Sequence, residues 1–273
     1  MKLIDSYREL VHRCFTGREV SPRGLTTYEA ATPATITFEA GETLDRKGYA
    51  PLLGLVEGLI MVAGQFNHAA IMAAAPGADP SYFTERGSYG PRITNSLNRA
   101  FAELVRDPSS RRAVAYIAGI YPDDTGHPDQ PCTQYAQFFI RDGQVHSHFA
   151  MRSWDMAWGL PYDVVQFGLL TQVMARALYF AGAGGIRRGS ETGTVTVTAG
   201  SAHIYQRTAH LPDETVGGPR FRLAPEYEHP NGAGLPATAD LAAWRAWARE
   251  ELAAIADGKK LSDIEWLAWR ETQ

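Results

Sequence analysis

The chain has 273 residues, 45% hydrophobic and 21% charged, with a formal net charge of -4 at pH 7. Such a length buries a substantial core, and the composition is that of a globular protein. The acidic balance argues against nucleic-acid binding, which needs a basic face to neutralise phosphates, and no run approaches the roughly 20 apolar residues that span a bilayer.

The N-terminus, MKLIDSYRELVHRCF, reads as an amphipathic helix interrupted by charges rather than a signal peptide. A cytoplasmic protein with neither nucleic-acid nor membrane partners is expected. Residues 51–75 predict one long apolar helix opened by Pro51, with Glu57 in its most apolar part. A second helix is predicted over 94–106, stopped by Asp107-Pro108. RRAVAYIAGI then has the β-branched and aromatic content of a buried strand. QYAQFFIRDGQVHSHFAMR predicts a hairpin about Asp142-Gly143, a pair suited to positive φ. Residues 162–180 predict a helix and TVTVTAGSAHIY a late strand. From about 211 to 238, Pro and Gly predict surface loops. Two helices, 239–256 and 261–270, are expected to close the chain, with Trp244/Trp247 and Trp266/Trp269 as packing pairs. Helices and strands without βαβ alternation predict an α+β fold, a mixed sheet with packed helices. Residues 1–273 read as one domain carrying a C-terminal helical extension at about 239–270.

There are two cysteines. Two in so long a chain make no disulfide scaffold and no zinc spacing, and no metal is expected. Cys14, on the first helix, reads as a small buried apolar residue. Cys132 follows Pro131 and the polar loop PDDTGHPDQ; it is either structural or a nucleophile whose thiolate needs nearby positive charge, which Arg111, Arg112 and Arg152 near strand ends offer. The same arginines suit a phosphate. Glu57 either faces solvent or a salt bridge, or is a buried carboxyl with a raised pKa, suited to general acid/base work. A thiol hydrolase pairing Cys132 with His146 or His148 is a separate possibility.

Pro131-Cys132, Ser110-Arg111-Arg112, Arg152-Ser153-x-Asp155, Gly159-Leu160-Pro161 and His203-Ile204-Tyr205 occur in an order and spacing that resembles the thymidylate synthase family, over roughly residues 20–208. The resemblance implies that family's fold, a homodimer through the sheet with shared active sites, and 5,10-methylenetetrahydrofolate as co-substrate. Cys132 would add to pyrimidine C6, with Glu57 the catalytic glutamate. Arg152 and Ser153 would hold the phosphate, helped by Arg23, while Arg111 and Arg112 would serve the neighbouring subunit. His203 and Tyr205 would bind the sugar hydroxyl, Asp155 and Glu57 would face the folate, and Tyr89 would assist proton removal at C5.

The family's uracil-reading asparagine falls at Asp163. An asparagine amide donates to uracil O4 and accepts from N3–H, whereas cytosine reverses that edge. A carboxyl that accepts from N4 and shares a proton with N3 favours cytosine, as in the cytidylate hydroxymethylases, although an aspartate in a first helical turn also complements the helix dipole. Three further departures bear on the product: no tryptophan within 76–90, Thr133 where the family has histidine, and an end in WLAWRETQ rather than a short apolar tail. A less sealed site predicts that water, rather than hydride, captures the exocyclic methylene on C5. The expected reaction is 5-hydroxymethylation of CMP or dCMP, with methylation under altered base preference as the alternative.

Overall fold

A computed structural model describes residues 2–119, 129–224 and 235–270. In chain order, α1 (Leu3–Phe15) is followed by β1 (Arg18–Val20), β2 (Thr27–Glu29), β3 (Ala34–Glu39) and β4 (Thr43–Asp45). Next come α2 (Pro51–Ala63), α3 (His68–Ala74), α4 (Tyr89–Arg106), β5 (Val114–Tyr116), β6 (Thr133–Arg141) and β7 (Gln144–Asp155). The chain continues through α5 (Gly159–Phe180), β8 (Thr192–Tyr205), β9 (Val216–Gly218), β10 (Arg220–Leu223), α6 (Leu241–Ala256) and β11 (Leu267–Arg270). Among the described residues no helix is long and apolar enough to cross a membrane.

The main sheet runs β1-β2-β8-β7-β6-β5, with β3 also paired to β8. Only its β7–β8 pair is parallel, so the sheet is mixed and the fold is α+β. Asp142 (φ 53°) and Gly143 (φ 76°) turn β6 into β7. Two successive positive φ values match the twist of a tight hairpin, as Asp-Gly predicts.

Helix α5 crosses the sheet and is buried without a break from Leu160 to Ala175. A helix apolar on all sides is a central helix. Helix α2 lies against it at close range. A Cβ on Gly54 would come within 2.9 Å of Val165 Cβ, and one on Gly58 within 2.9 Å of Leu169 Cδ2. These two glycines bring α2 down onto α5 and carry Glu57, between them in sequence, to the junction.

Four expectations are corrected. The helix over 51–75 is two: Gly64, at φ 69°, ends α2, and the Asn67 side chain caps α3 by accepting from Ala70 N. The helix expected over 94–106 starts at Tyr89, because Pro91 falls in its first turn, where its missing N–H leaves no hydrogen bond unmade. The stretch 211–238 is more than loop, since β9 and β10 lie in it and Phe221 and Leu223 are buried. The helix expected over 261–270 is a 3-10 turn, Leu261–Asp263, followed by β11, which pairs antiparallel with β10. The extension is therefore a helix plus a strand; an available strand edge outweighs the local helical spacing.

Trp244, Trp247 and Trp266 are buried and meet edge to face, with ring centroids 5.8 and 5.0 Å apart. The side chain of Trp269, Ile120, most of the PDDTGHPDQ loop (residues 122–128), residues 225–234 and the last three residues of WLAWRETQ lie outside the described residues.

Candidate active site

A cavity of about 1110 Å³ opens beside the C-terminal end of β7 and the N-terminal end of α5. Glu57, Tyr89, Cys132, Ser153, Asp155 and Asp163 all line it. They come from α2, α4, the entry to β6, β7 and α5, elements brought together only by the fold. Tyr89 reaches the cavity because the next residue has no side chain: a Cβ on Gly90 would collide with the Ile60 carbonyl oxygen of α2.

Asp163 is 6% exposed and burial pushes its carboxyl up to about 7. Trp154 Nε1 donates to its Oδ2 at 2.8 Å, and Gln166 Nε2 donates to its Oδ1 at 2.6 Å. Glu57 is pushed up to about 8, first by burial and then by the neighbouring Asp163 charge. Tyr89 is raised well above the usual phenol value, again by burial first, with Cys132 and Asp163 adding to it. Its hydroxyl lies within reach of Thr133, which draws the value partly back down.

The thiolate expected at Cys132 is not stabilised in the free protein. Burial raises its pKa, and Asp163, Asp129 and Asp155 raise it further against the opposing pull of Arg152. The Arg152 guanidinium is itself engaged by carbonyl oxygens, Nε to Pro131 at 3.2 Å and Nη2 to Gln130 at 2.9 Å. It stays beside the thiol but does not line the cavity. Cys14, in contrast, is buried and pushed up to about 11, and its Sγ donates to Ala202 O.

Asp155 ends β7 opposite His203 of β8, and its Oδ1 accepts from Ala157 N and Trp158 N, which shapes the turn into α5. Burial raises its carboxyl, with His203 opposing; burial likewise lowers His203. His203 and Tyr205 stand edge to face at 5.1 Å, and burial raises the Tyr205 phenol, with Asp155 adding to the shift and Arg23 opposing it. Arg23 holds a left-handed φ of 54°, a conformation that non-glycine residues adopt chiefly where the surroundings impose it. His203, Tyr205 and Arg23 form a cluster adjoining the cavity through Asp155 rather than part of its lining. Arg111 and Arg112 lie elsewhere, in a surface concavity with Glu103, Arg106 and Ser110. His146 and His148 contact Thr194 and Thr198 of β8 instead of Cys132, which removes the histidine partners of the thiol-hydrolase reading. No group of metal-binding side chains is found among the described residues.

Sequence reading missed an aromatic wall. Trp158, 45% exposed, stacks on Tyr162 (13° between planes, 6.2 Å), and Tyr162 meets Tyr49 at 4.8 Å. The buried Arg46 lies 5.1 Å under the Trp158 ring and donates to Ala157 O. The one signal for it was a tryptophan in the turn next to Gly159.

The thymidylate synthase family model matches residues 77–223, more than half of the chain. The chain belongs to the thymidylate synthase family. The matched span contains Tyr89, Cys132, Asp163 and His203; Glu57 and Arg23 lie before it. Two archaeal relatives, each described as a putative thymidylate synthase, align over 137 residues: one from Methanosarcina barkeri at 29% identity and one from Methanosarcina acetivorans at 31%. Each alignment covers 48% of this chain, and the chain spans 58% of the length of these relatives.

Proposed function

We propose that this family member catalyses folate-dependent 5-hydroxymethylation of a cytosine nucleotide, CMP or dCMP. The observation that carries the proposal is Asp163, a buried carboxyl in the cavity that also holds Cys132 and Glu57. Cytosine offers an N4 donor and an N3 acceptor. A carboxyl near neutral pKa matches both, accepting from N4 and sharing one proton with N3. Uracil would set its O4 against a carboxylate oxygen, and an unpaired buried acceptor costs about 1–3 kcal/mol.

The cavity also fits 5,10-methylenetetrahydrofolate as co-substrate. At about 1110 Å³ it exceeds the roughly 300–1,000 Å³ of a single small-molecule site. Trp158 and Tyr162 present flat faces for a ring system, and Asp155 offers a carboxylate to the pterin. When bound, the folate supplies a one-carbon unit at the oxidation level of formaldehyde. Arg152 and Ser153, with Arg23, hold the phosphate, and His203 with Tyr205 holds the sugar hydroxyl. Cys132 Sγ adds to C6 and makes C5 nucleophilic. Glu57, protonated at neutral pH, holds a proton beside the base. Tyr89, beside Cys132, assists removal of the C5 proton. C5 would then bond to the one-carbon unit, and loss of the C5 proton with departure of tetrahydrofolate from that carbon would leave an exocyclic methylene. Water would add to the methylene carbon as the C6–Sγ bond breaks and Cys132 leaves.

Capture by water is supported by the cavity mouth. None of the described residues after Leu211 lines the cavity, and β11 is held on β10. Tyr82, in the segment lacking tryptophan, is 66% exposed. We further propose a homodimer in which Arg111 and Arg112 reach a second copy's phosphate. Residues 1–273 are taken as one domain, since one cluster of buried residues runs from Leu3 to Leu267.

Incubation with each nucleotide and methylenetetrahydrofolate, read by mass spectrometry, tests the proposal. The expected product is a cytosine nucleotide carrying an added CH2O, with tetrahydrofolate released. A methylated nucleotide with dihydrofolate would replace it by the methyltransferase alternative, and turnover of dUMP alone would overturn the base assignment. Asp163→Asn is expected to move preference toward uracil; unchanged preference would remove Asp163 as the base reader.

A further inference from the structure

We infer that Trp154 and Gln166 are the positioning residues that set base choice, by clamping Asp163 in one orientation from both sides. The inference rests on the cytosine reading of Asp163 above. Trp154, 1% exposed, is the penultimate residue of β7, and Gln166 lies one turn beyond Asp163 on α5. Their hydrogen bonds, 2.8 Å to Oδ2 and 2.6 Å to Oδ1, occupy one lone-pair position on each oxygen. A carboxylate has about four such positions, so one per oxygen remains for a ligand. All three side chains line the cavity. Gly159 keeps the clamp open: a Cβ there would stand 3.3 Å from Asp163 Oδ2.

The two donors differ in kind. An indole N–H only donates, whereas a glutamine amide can turn over and accept. Trp154 therefore always demands an acceptor on the side of Oδ2, and Gln166 adapts to what remains. If residue 163 were asparagine, its oxygen would be drawn to Trp154 and its NH2 group turned toward Gln166 Oε1. The opposite orientation would leave the indole N–H buried and unpaired. Which edge of residue 163 donates and which accepts is thus decided one strand away, at Trp154.

Trp154→Phe removes the N–H and keeps an aromatic ring. A hydrogen bond to a charged group contributes enough that its loss is expected to weaken cytosine-nucleotide binding about tenfold. Binding of dUMP should stay unchanged and kcat should fall less than kcat/KM. Equal losses for both bases would show a merely structural tryptophan and overturn the inference, as would no loss for either. In the background of Asp163→Asn, adding Trp154→Phe should erase the newly gained uracil preference, and its survival would overturn the inference. If Asp163→Asn itself leaves base preference unmoved, it is the cytosine reading that fails.

A second measurement is free of core damage. In intact protein with 15N-labelled tryptophan, the Trp154 indole resonance should shift with a midpoint near pH 7. Four other titratable groups influence Asp163 or respond to it: Glu57 from α2, Tyr89 from α4, Cys132 at the entry to β6 and Asp155 at the end of β7. The shift should therefore vanish in Asp163→Asn and persist in Glu57→Gln. A resonance that does not move, or one that follows Glu57, would overturn the clamp.

Discussion

The two ends of the cavity are prepared to different degrees. At the Asp163 end, both carboxyl oxygens already accept hydrogen bonds from buried donors, and the strand β7 and helix α5 that carry them are core elements. At the thiol end, Cys132 is shaped by burial and charge: three carboxylates and desolvation keep its proton on, and the opposing Arg152 is occupied by two carbonyl oxygens. Under the proposed function, base recognition is thus built before a ligand arrives, while nucleophilicity is not. Fixed hydrogen bonds need no ligand to form, whereas a thiolate in a buried, acid-lined cavity is unfavourable until something else compensates its charge.

Substitutions at the two ends separate these roles. Cys132→Ser should lower turnover by on the order of a thousandfold or more while leaving nucleotide affinity nearly intact, read by single-turnover product analysis beside equilibrium binding. Loss of binding in step with turnover would mean that the thiol end also recognises. Glu57→Gln should reduce kcat roughly 10²–10⁴-fold. It should also remove a fall in activity above about pH 8, the pH at which Glu57 gives up its proton. An unchanged alkaline limb would take Glu57 out of the proton chemistry.

Smaller effects test the scaffold between the ends. Gly58→Ala places a methyl group 2.9 Å from Leu169 Cδ2 and 3.2 Å from Gln166 Cα. It should cost about 1–3 kcal/mol of stability by overpacking, measured as a lower Tm. It should also weaken cytosine discrimination through Gln166; a lower Tm with discrimination intact would separate packing from reading. The pH dependence of stability follows from the same burial. Glu57 and Asp163 have folded pKa values raised from 4.5 to about 8 and from 3.8 to about 7. The folded state therefore binds protons more tightly than the unfolded chain. The stabilisation is fully present below about pH 4 and is lost as pH rises through 7 and 8. Tm should decline between about pH 4 and 8 for this pair and level off above that, and Glu57→Gln should make the decline shallower and remove its part above about pH 7. A Tm that rises over this window would show that the two carboxyls are not buried as described.

Much of the site was legible because its residues sit in short, ordered motifs. Arg152, Ser153 and Asp155 share one strand end, Gly159 to Asp163 share one helix turn, and Pro131-Cys132 opens the hairpin whose Asp142-Gly143 turn reads directly from residue type. The charge state of Cys132 was not legible, since it depends on Asp129, Asp155 and Asp163 converging from separate elements. The aromatic wall was missed for the same reason: Tyr49 lies just before α2 and meets Tyr162 of α5 only in the folded chain. At the C-terminus, tryptophans at helical spacing pointed to a helix, but pairing with β10 made a strand of residues 267–270.

Local chemistry determined what could be encoded locally: the hairpin, the helix start at Pro51, the α+β class, and the family through motifs whose order survives in the linear chain. Tertiary structure alone decided that Gly54 and Gly58 would bring Glu57 to Asp163, that Arg152 would be engaged by backbone, and that Trp154 would face a carboxyl nine residues on. Those outcomes depend on distances between elements and on the water excluded from between them, which no stretch of sequence contains by itself.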